Sequence, residues 1–117
     1  MKHCMKLCAQ PFDMISSGEK SVEIRLYDEK RRKLKKGDEI EFSLIEDGKT
    51  VNKTLNVKIT GLYRFNSFAD LFYSDLYGLT GSDEKTAEEF VNSMRLYYSK
   101  EQEQTCGVIA IKIKILN

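Results

Sequence analysis

The residues best suited to chemistry stand together in one stretch, Gly18-Glu19-Lys20-Ser21-Val22-Glu23-Ile24-Arg25. Polar and apolar positions alternate there, so in an extended chain Glu23 and Arg25 share one face, about 7 Å apart by strand rise. Arg25 brings a planar fork that fits a phosphate or the carbonyl-bearing edge of a base. Glu23 brings an acceptor for an amine, or a general base, and Lys20 a mobile cation at the mouth of the strand. With Ser21 between them, these residues converge on one ligand. The plainer reading of the same spacing is a solvated strand face with a weak surface ion pair.

Two more side chains join the candidate ligand set: Arg64 as a cleft cation, and Tyr98, or Tyr27, as a platform on which a base stacks. Tyr98 also lies on an apolar helical stripe, where packing explains it equally well. The run Lys30-Arg31-Arg32-Lys33-Leu34-Lys35-Lys36 has the density of a phosphate-contacting patch. Arg31, Arg32, Lys33, Lys35 and Lys36 are its candidate contacts to a nucleic-acid backbone. Asp28, Glu29, Asp38 and Glu39 flank the run, and such runs are often solvated loops.

His3-Cys4-x3-Cys8 offers soft ligands, but a structural zinc site wants four, with a second close pair, and the chain holds 3 Cys and 1 His in all. No metal and no cofactor is expected. The three cysteines, Cys4, Cys8 and Cys106, read as reduced, buried structural thiols. His3 reads as a strand-end residue, since nothing in the sequence supplies it with a nucleophile or an orienting carboxylate.

The elements that must position these groups follow from periodicity. Cys4–Leu7 reads as a first strand, and Pro11 opens a helix with Phe12, Met14 and Ile15 inward and Gly18 as its C-cap. Ser21–Tyr27 alternates as a half-buried strand. The charged stretch 28–36 is a loop or a single helical turn closed by Gly37-Asp38. Glu39–Ile45 and Thr50–Phe65 alternate as a hairpin turning at Asp47-Gly48, with Gly61 as a bulge or corner. Ser67 caps a helix carrying Phe68, Leu71, Phe72 and Leu76. A second helix starts at Ser82 or Asp83, with Glu84, Glu88 and Glu89 in its first turns and Phe90, Val91, Met94 and Tyr98 as its stripe. Cys106–Leu116 is a final strand, apolar on both faces from Val108 to Ile111 and so central. The order β-α-β-β-β-α-α-β without a βαβ repeat makes the chain α+β, with mixed or antiparallel strands curling toward a barrel.

At 117 residues and 41% hydrophobic positions, the chain has the size of one domain, 1–117. No apolar run approaches the length of a bilayer span, and Lys2, His3 and Lys6 interrupt the segment where a signal peptide needs its apolar stretch. A cytoplasmic protein without membrane contact is the expectation. Net charge is +1, yet residues 1–60 hold 13 Lys/Arg against 10 Asp/Glu while 61–117 hold 6 against 8, so the basic charge lies toward the N-terminal half.

Nearly the whole chain carries a resemblance. Met5-Lys6-Leu7, then Pro11-Phe12-x2-Ile15-x2-Gly18-x-Lys20-x2-Glu23-x-Arg25-Leu26-x-Asp28-x2-Arg31-x5-Gly37-Asp38, resembles the ASCH family. Tyr63-Arg64-Phe65-x-Ser67-Phe68 is similar to that family's central connection, and Tyr97-Tyr98-Ser99-x-Glu101 with Gly107-Val108-Ile109-Ala110-Ile111 to its closing helix and strand. The resemblance implies a PUA-like β-barrel with flanking helices, a cleft at Lys20, Glu23 and Arg25, and binding of RNA or of a nucleoside or nucleotide ligand.

A branch similar at the Gly-x-Lys element is the acetylcytidine amidohydrolase, in which the lysine acts with a threonine and a downstream glutamate. Lys20 matches that lysine, whereas Glu23 stands in the threonine's place and the downstream glutamate has no secure match. If the domain is an enzyme, Lys20 and Glu23 are its catalytic residues. Three classes are thus in play: an RNA-binding module, a hydrolase of an acetylated nucleoside, and a small-ligand or protein-interaction domain without chemistry. Oligomeric state is open.

Overall fold

In the computed structural model, which describes residues 1–116, the alternating stretches over 39–45 and 50–65 become two paired strands. β3 (Glu39–Glu46) and β4 (Lys49–Phe65) form a hairpin whose turn residues Asp47 and Gly48 both have positive φ, at 52° and 75°, as a tight two-residue reversal requires. Around them lie β1 (Lys2–Cys8), α1 (Ala9–Ser17), β2 (Val22–Leu26), α2 (Phe68–Phe72), α3 (Ala87–Met94), α4 (Lys100–Cys106) and β5 (Val108–Ile115). Single 3-10 turns occupy Arg31–Lys33 and Tyr77–Leu79.

The five strands form one mixed sheet in the order β1-β3-β4-β5-β2. β1 runs parallel to β3, and every other pair is antiparallel. Register slips between Ile59 and Gly61, the bulge that bends β4. The Tyr63 ring lies across Gly61 so closely that a Cβ there would come within 2.8 Å of it, so a larger residue would have to push that exposed ring aside. The bend curls the sheet into an α+β half-barrel whose two edge strands, β1 and β2, approach each other without pairing.

β5 divides two cores, and this is why Val108–Ile111 is apolar throughout. Ile109, Ile111 and Ile113 face the barrel interior with Met5, Leu7, Phe12, Ile15, Ile40, Phe42, Val57 and Ile59. Val108 and Ala110 face the other way, joining Val22, Ile24 and Leu26 of β2 beneath Phe68, Leu71 and Phe90 of the helices. Among the described residues no helix is long and apolar enough to cross a membrane.

Several expectations need correction. The helix expected over Phe68–Leu76 stops at Phe72, because the Ser74 hydroxyl turns back onto the Leu71 carbonyl while accepting from the Leu76 N–H. The next helix starts at Thr86 rather than at Ser82 or Asp83, since Thr86 and Glu89 close a capping box. Glu84 therefore stands outside it and accepts hydrogen bonds from Tyr77 and Ser93. Cys106 ends an additional helix, α4, opened by a second capping box of Ser99 and Gln102. All three cysteines are free thiols; Cys106 is half-buried and packs against the helical core, whereas Cys4 and Cys8 are exposed and are not core groups.

Candidate functional site

β2 is the last strand of the sheet, and its register decides where its charges point. Glu23 lies opposite Ile111 and Arg25 opposite Ile109, so both share the side that those isoleucines turn toward the barrel interior. At that edge no further strand covers them. Glu23 and Arg25 thus stand in the gap between β2 and β1, where a closed barrel would place apolar residues.

The gap is narrow enough to bury them. The side chains of Lys20, Glu23 and Arg25 are only 8%, 6% and 15% exposed, so the solvated surface pair is overturned and the strand is covered on both faces. Lys20 Nζ lies 3.3 Å from Glu23 Oε1 and donates to the Thr80 carbonyl at 2.9 Å. Glu23 Oε1 also accepts from the Ile24 N–H at 2.9 Å. Glu23 Oε2 has Arg25 Nη1 at 3.5 Å and, although buried, accepts no hydrogen bond. Arg25 Nη2 donates across the gap to the Lys6 carbonyl at 3.0 Å, and Lys30 Nζ donates to that of Cys4 at 2.7 Å. Side chains, not backbone pairing, span the seam.

Thr80 belongs to the loop after the second 3-10 turn, which folds over the C-terminal end of α1. Gly81 makes that approach possible: its φ is +79°, and a Cβ would come within 2.6 Å of Met14 and 3.3 Å of Lys20. Lys20 is therefore fixed from both sides, by Glu23 below and by the loop carbonyl above.

A cleft of about 280 Å³ opens on this trio, lined by Lys6, Leu7, Cys8 and Pro11 on one wall, Glu23, Ile24 and Arg25 on the other, and Ser82, Met94, Tyr97 and Tyr98 above. Tyr98 stacks one face on Phe68, with centroids 5.8 Å apart, and so serves core and cleft together. Through Lys6, Arg25 and Tyr98 the cleft continues into a groove of about 470 Å³ bordered also by Lys30, Arg31 and Ser43. Four cations and no carboxylate side chain line that groove.

The other candidates disperse. Ser21 serves through its backbone, N–H to the Leu79 carbonyl and carbonyl to the Ile113 N–H, and its side chain does not line the cleft. Arg64 is absent from the cleft as well: it lies over the Tyr27 ring at 4.5 Å, in a separate cavity past the end of β2. Arg31 is paired with Asp28 at 3.0 Å on the groove margin, and Arg32 lies over the other candidate platform, Tyr27, at 4.9 Å. Lys33, Lys35 and Lys36 are exposed and border neither cleft nor groove. His3 does have a carboxylate partner, Asp38 at 2.8 Å, and that hydrogen bond holds the Asp38 carboxyl below its usual value. Among the described residues no three His, Cys, Asp or Glu side chains cluster as a metal site.

Sequence reasoning missed Lys6, Cys8, Lys30, Thr80, Ser82 and Tyr97 as neighbours of the site. Lys30 carried a signal as the first cation of the basic run, Tyr97 as part of the matched Tyr97-Tyr98-Ser99 element and Lys6 as an outward position of the first strand; Thr80 contributes a backbone carbonyl, which leaves no mark in residue type. Glu103 was missed too. Buried at 6% exposure, it accepts from the Phe68 N–H at 2.6 Å and from Arg95, and so ties α4 to the start of α2 beneath Tyr98.

The family model for the ASCH domain matches residues 5–117, from the strand that walls the cleft to the last strand of the chain. The chain belongs to the ASCH domain family. This ASCH domain is similar to the crystal structure of hypothetical protein PH0355, at 37% identity and a TM-score of 0.82 over 99% of this chain and 100% of that one. It is also similar to the solution structure of protein PF0455 from Pyrococcus furiosus, at 35% identity and a TM-score of 0.74 over 100% and 99%. An ASCH domain from Lactobacillus crispatus JV V101 shares the fold at 17% identity, with a TM-score of 0.56 over 97% of this chain and 79% of that one. No curated protein matches.

Proposed function

We propose that this ASCH domain, a half-barrel of PUA-like type, binds RNA or a nucleotide derived from it by seating one base in the cleft at Glu23. The observation that carries the reading is Glu23 Oε2, a buried carboxylate oxygen that accepts no hydrogen bond. A buried acceptor without a donor is costly, and because Glu23 and Arg25 both line the cleft, a ligand that enters as the Arg25 side chain shifts aside reaches this oxygen and supplies the missing donor. An amino group on the edge of a base meets that demand, as carboxylates do when they read cytosine. Arg25, adjacent on the strand, reaches a neighbouring base carbonyl, and the apolar wall with Tyr97 and Tyr98 accepts the ring, the mode in which unstacked RNA bases are recognised. The groove of Lys6, Arg25, Lys30 and Arg31 receives the attached phosphate.

Calorimetric titration with the four ribonucleoside monophosphates tests the reading. The amino-bearing bases bind best, affinity falls as salt rises, and Glu23→Gln loses at least ~10-fold, the worth of one hydrogen bond to a charged group. Equal affinity for uridine monophosphate and the amino-bearing nucleotides, or an unchanged Glu23→Gln, sinks it.

One observation supports a second reading, hydrolysis of an acetylated nucleoside. Lys20 Nζ and Glu23 Oε1 are 3.3 Å apart, buried at the floor of the same cleft, as a base and its partner must be. Incubation with acetylcytidine, followed by chromatography, decides it: turnover lost in Lys20→Ala makes the domain an amidohydrolase, and no turnover leaves binding alone.

A further inference from the structure

β2 leads past the cleft. Tyr27, two residues beyond Arg25, packs against the same barrel core and borders a second cavity of about 700 Å³. Two guanidinium groups lie over its ring, Arg32 from the 3-10 turn at 4.9 Å and Arg64 from the end of β4 at 4.5 Å. Arg32 is held by its Nε, which donates to the Tyr27 carbonyl at 3.3 Å, and this leaves its terminal nitrogens for other partners. Neither arginine has a carboxylate within salt-bridge distance among the described residues.

The rest of the polar lining is neutral, Asn66, Gln104 and Thr105, and no acidic side chain borders the cavity. With both exposed guanidinium groups on one ring, the like charges lie within roughly a screening length of each other (~8 to 10 Å at ordinary ionic strength), and no carboxylate side chain of the described residues pairs with either. A chain with 18 acidic residues for 19 basic ones has partners to spare, so a carboxylate-free pair of planar forks marks an anion site, and the fork geometry favours phosphate. The cavity's volume admits a whole nucleotide unit.

The two sites are joined. Arg31 borders the groove that leaves the first cleft, and Arg32, the next residue of the same turn, borders the second cavity. We propose that Arg32 and Arg64, carried on Tyr27, bind a phosphodiester of the strand whose base sits at Glu23, so that the ligand is single-stranded RNA running along β2 and not a free nucleotide. This rests on the reading of the Glu23 cleft given above. The stacked arginines also hold the turn and the end of β4 in place, but that duty alone predicts no dependence on ligand length.

Fluorescence anisotropy with a labelled ribonucleotide, trinucleotide and hexanucleotide tests the proposal, on the wild type, Arg32→Ala/Arg64→Ala, Arg32→Lys/Arg64→Lys and Glu23→Gln, with melting temperatures as the check on folding. In the wild type affinity rises with length. In the double alanine variant the hexanucleotide loses at least 10-fold and its salt dependence becomes shallower by one to two phosphate contacts, each worth ~0.7 in slope for a single strand, while the mononucleotide binds as before. The lysine variant keeps charge, loses the fork and falls between. Affinity independent of length, or a length gain unchanged by the alanine variant, overturns the proposal while leaving the cleft reading intact. A length gain that needs Arg32 and Arg64 but ignores Glu23 keeps the phosphate site and removes the cleft reading. Equal binding of a DNA hexamer or of polyphosphate shows a general anion surface and overturns the assignment to RNA.

Discussion

A double-mutant cycle on Lys20 and Glu23 probes the centre of the site. At their 3.3 Å separation the Coulomb attraction is about 5 kcal/mol for an effective dielectric near 20. Desolvation of two nearly buried groups offsets much of it, which leaves a coupling of ~1 to 3 kcal/mol. Lys20→Met strands a buried carboxylate that retains only the Ile24 N–H and the more distant Arg25, and should destabilise by ~2 to 4 kcal/mol, somewhat below the cost of a wholly unpaired charge. Glu23→Gln leaves two cations facing a neutral amide, at similar cost. The double variant should then be less destabilised than the sum of the single ones by the coupling energy. Urea unfolding at neutral pH, followed by circular dichroism with the m-value checked for constancy, measures all four corners. A coupling below ~0.5 kcal/mol would refute the reasoning, because it is the value of an exposed pair that water screens.

Two predictions concern the frame around the site. Glu103→Ala deprives the buried Phe68 N–H of its acceptor and Arg95 of its partner; at ~2 to 4 kcal/mol the melting temperature should fall by about 10 °C, with Glu103→Gln recovering part, and a shift under ~2 °C would show the contact to be dispensable. The Asp38 carboxyl is held below its ordinary value of 3.8, chiefly by the hydrogen bond from His3, so its stabilisation is present above that value and lost as pH falls through the lower folded-state value. Melting curves of wild type and Asp38→Asn across pH should therefore be furthest apart near neutrality and converge in acid; a gap that widens below about pH 4 contradicts the sign.

Much of this fold was legible because alternation reports burial directly. Ile40, Phe42 and Leu44 read inward and are buried, Asp47-Gly48 read as the reversal, and Gly61 as the bulge. The failures lie where a side chain competes with the backbone. Ser74 cuts a helix whose apolar spacing runs on to Leu76, and capping boxes at Thr86 and Ser99 set starts that hydrophobic periodicity alone does not mark. The site was half legible. Residue type and spacing put Glu23 and Arg25 on one face, but whether water reaches that face depends on β1, which is adjacent in space and far in sequence. Arg64 went to the wrong cavity for a related reason: the bulge at Gly61 alters which way the end of β4 points, and composition carries no record of a bend.

The seam between β1 and β2 bears on how the molecule avoids its own kind. A strand at the margin of a sheet exposes unpaired carbonyls, and a second chain can lay its own strand against them and begin an aggregate. Here the Cys4 and Lys6 carbonyls, which such a strand would need, already accept from Lys30 and Arg25 of the same chain. An incoming segment would have to displace two cations and desolvate them. The charges that give the cleft its chemistry thus also guard the sheet's open margin, and a variant that trades them for apolar residues would expose a template for association as well as lose a ligand.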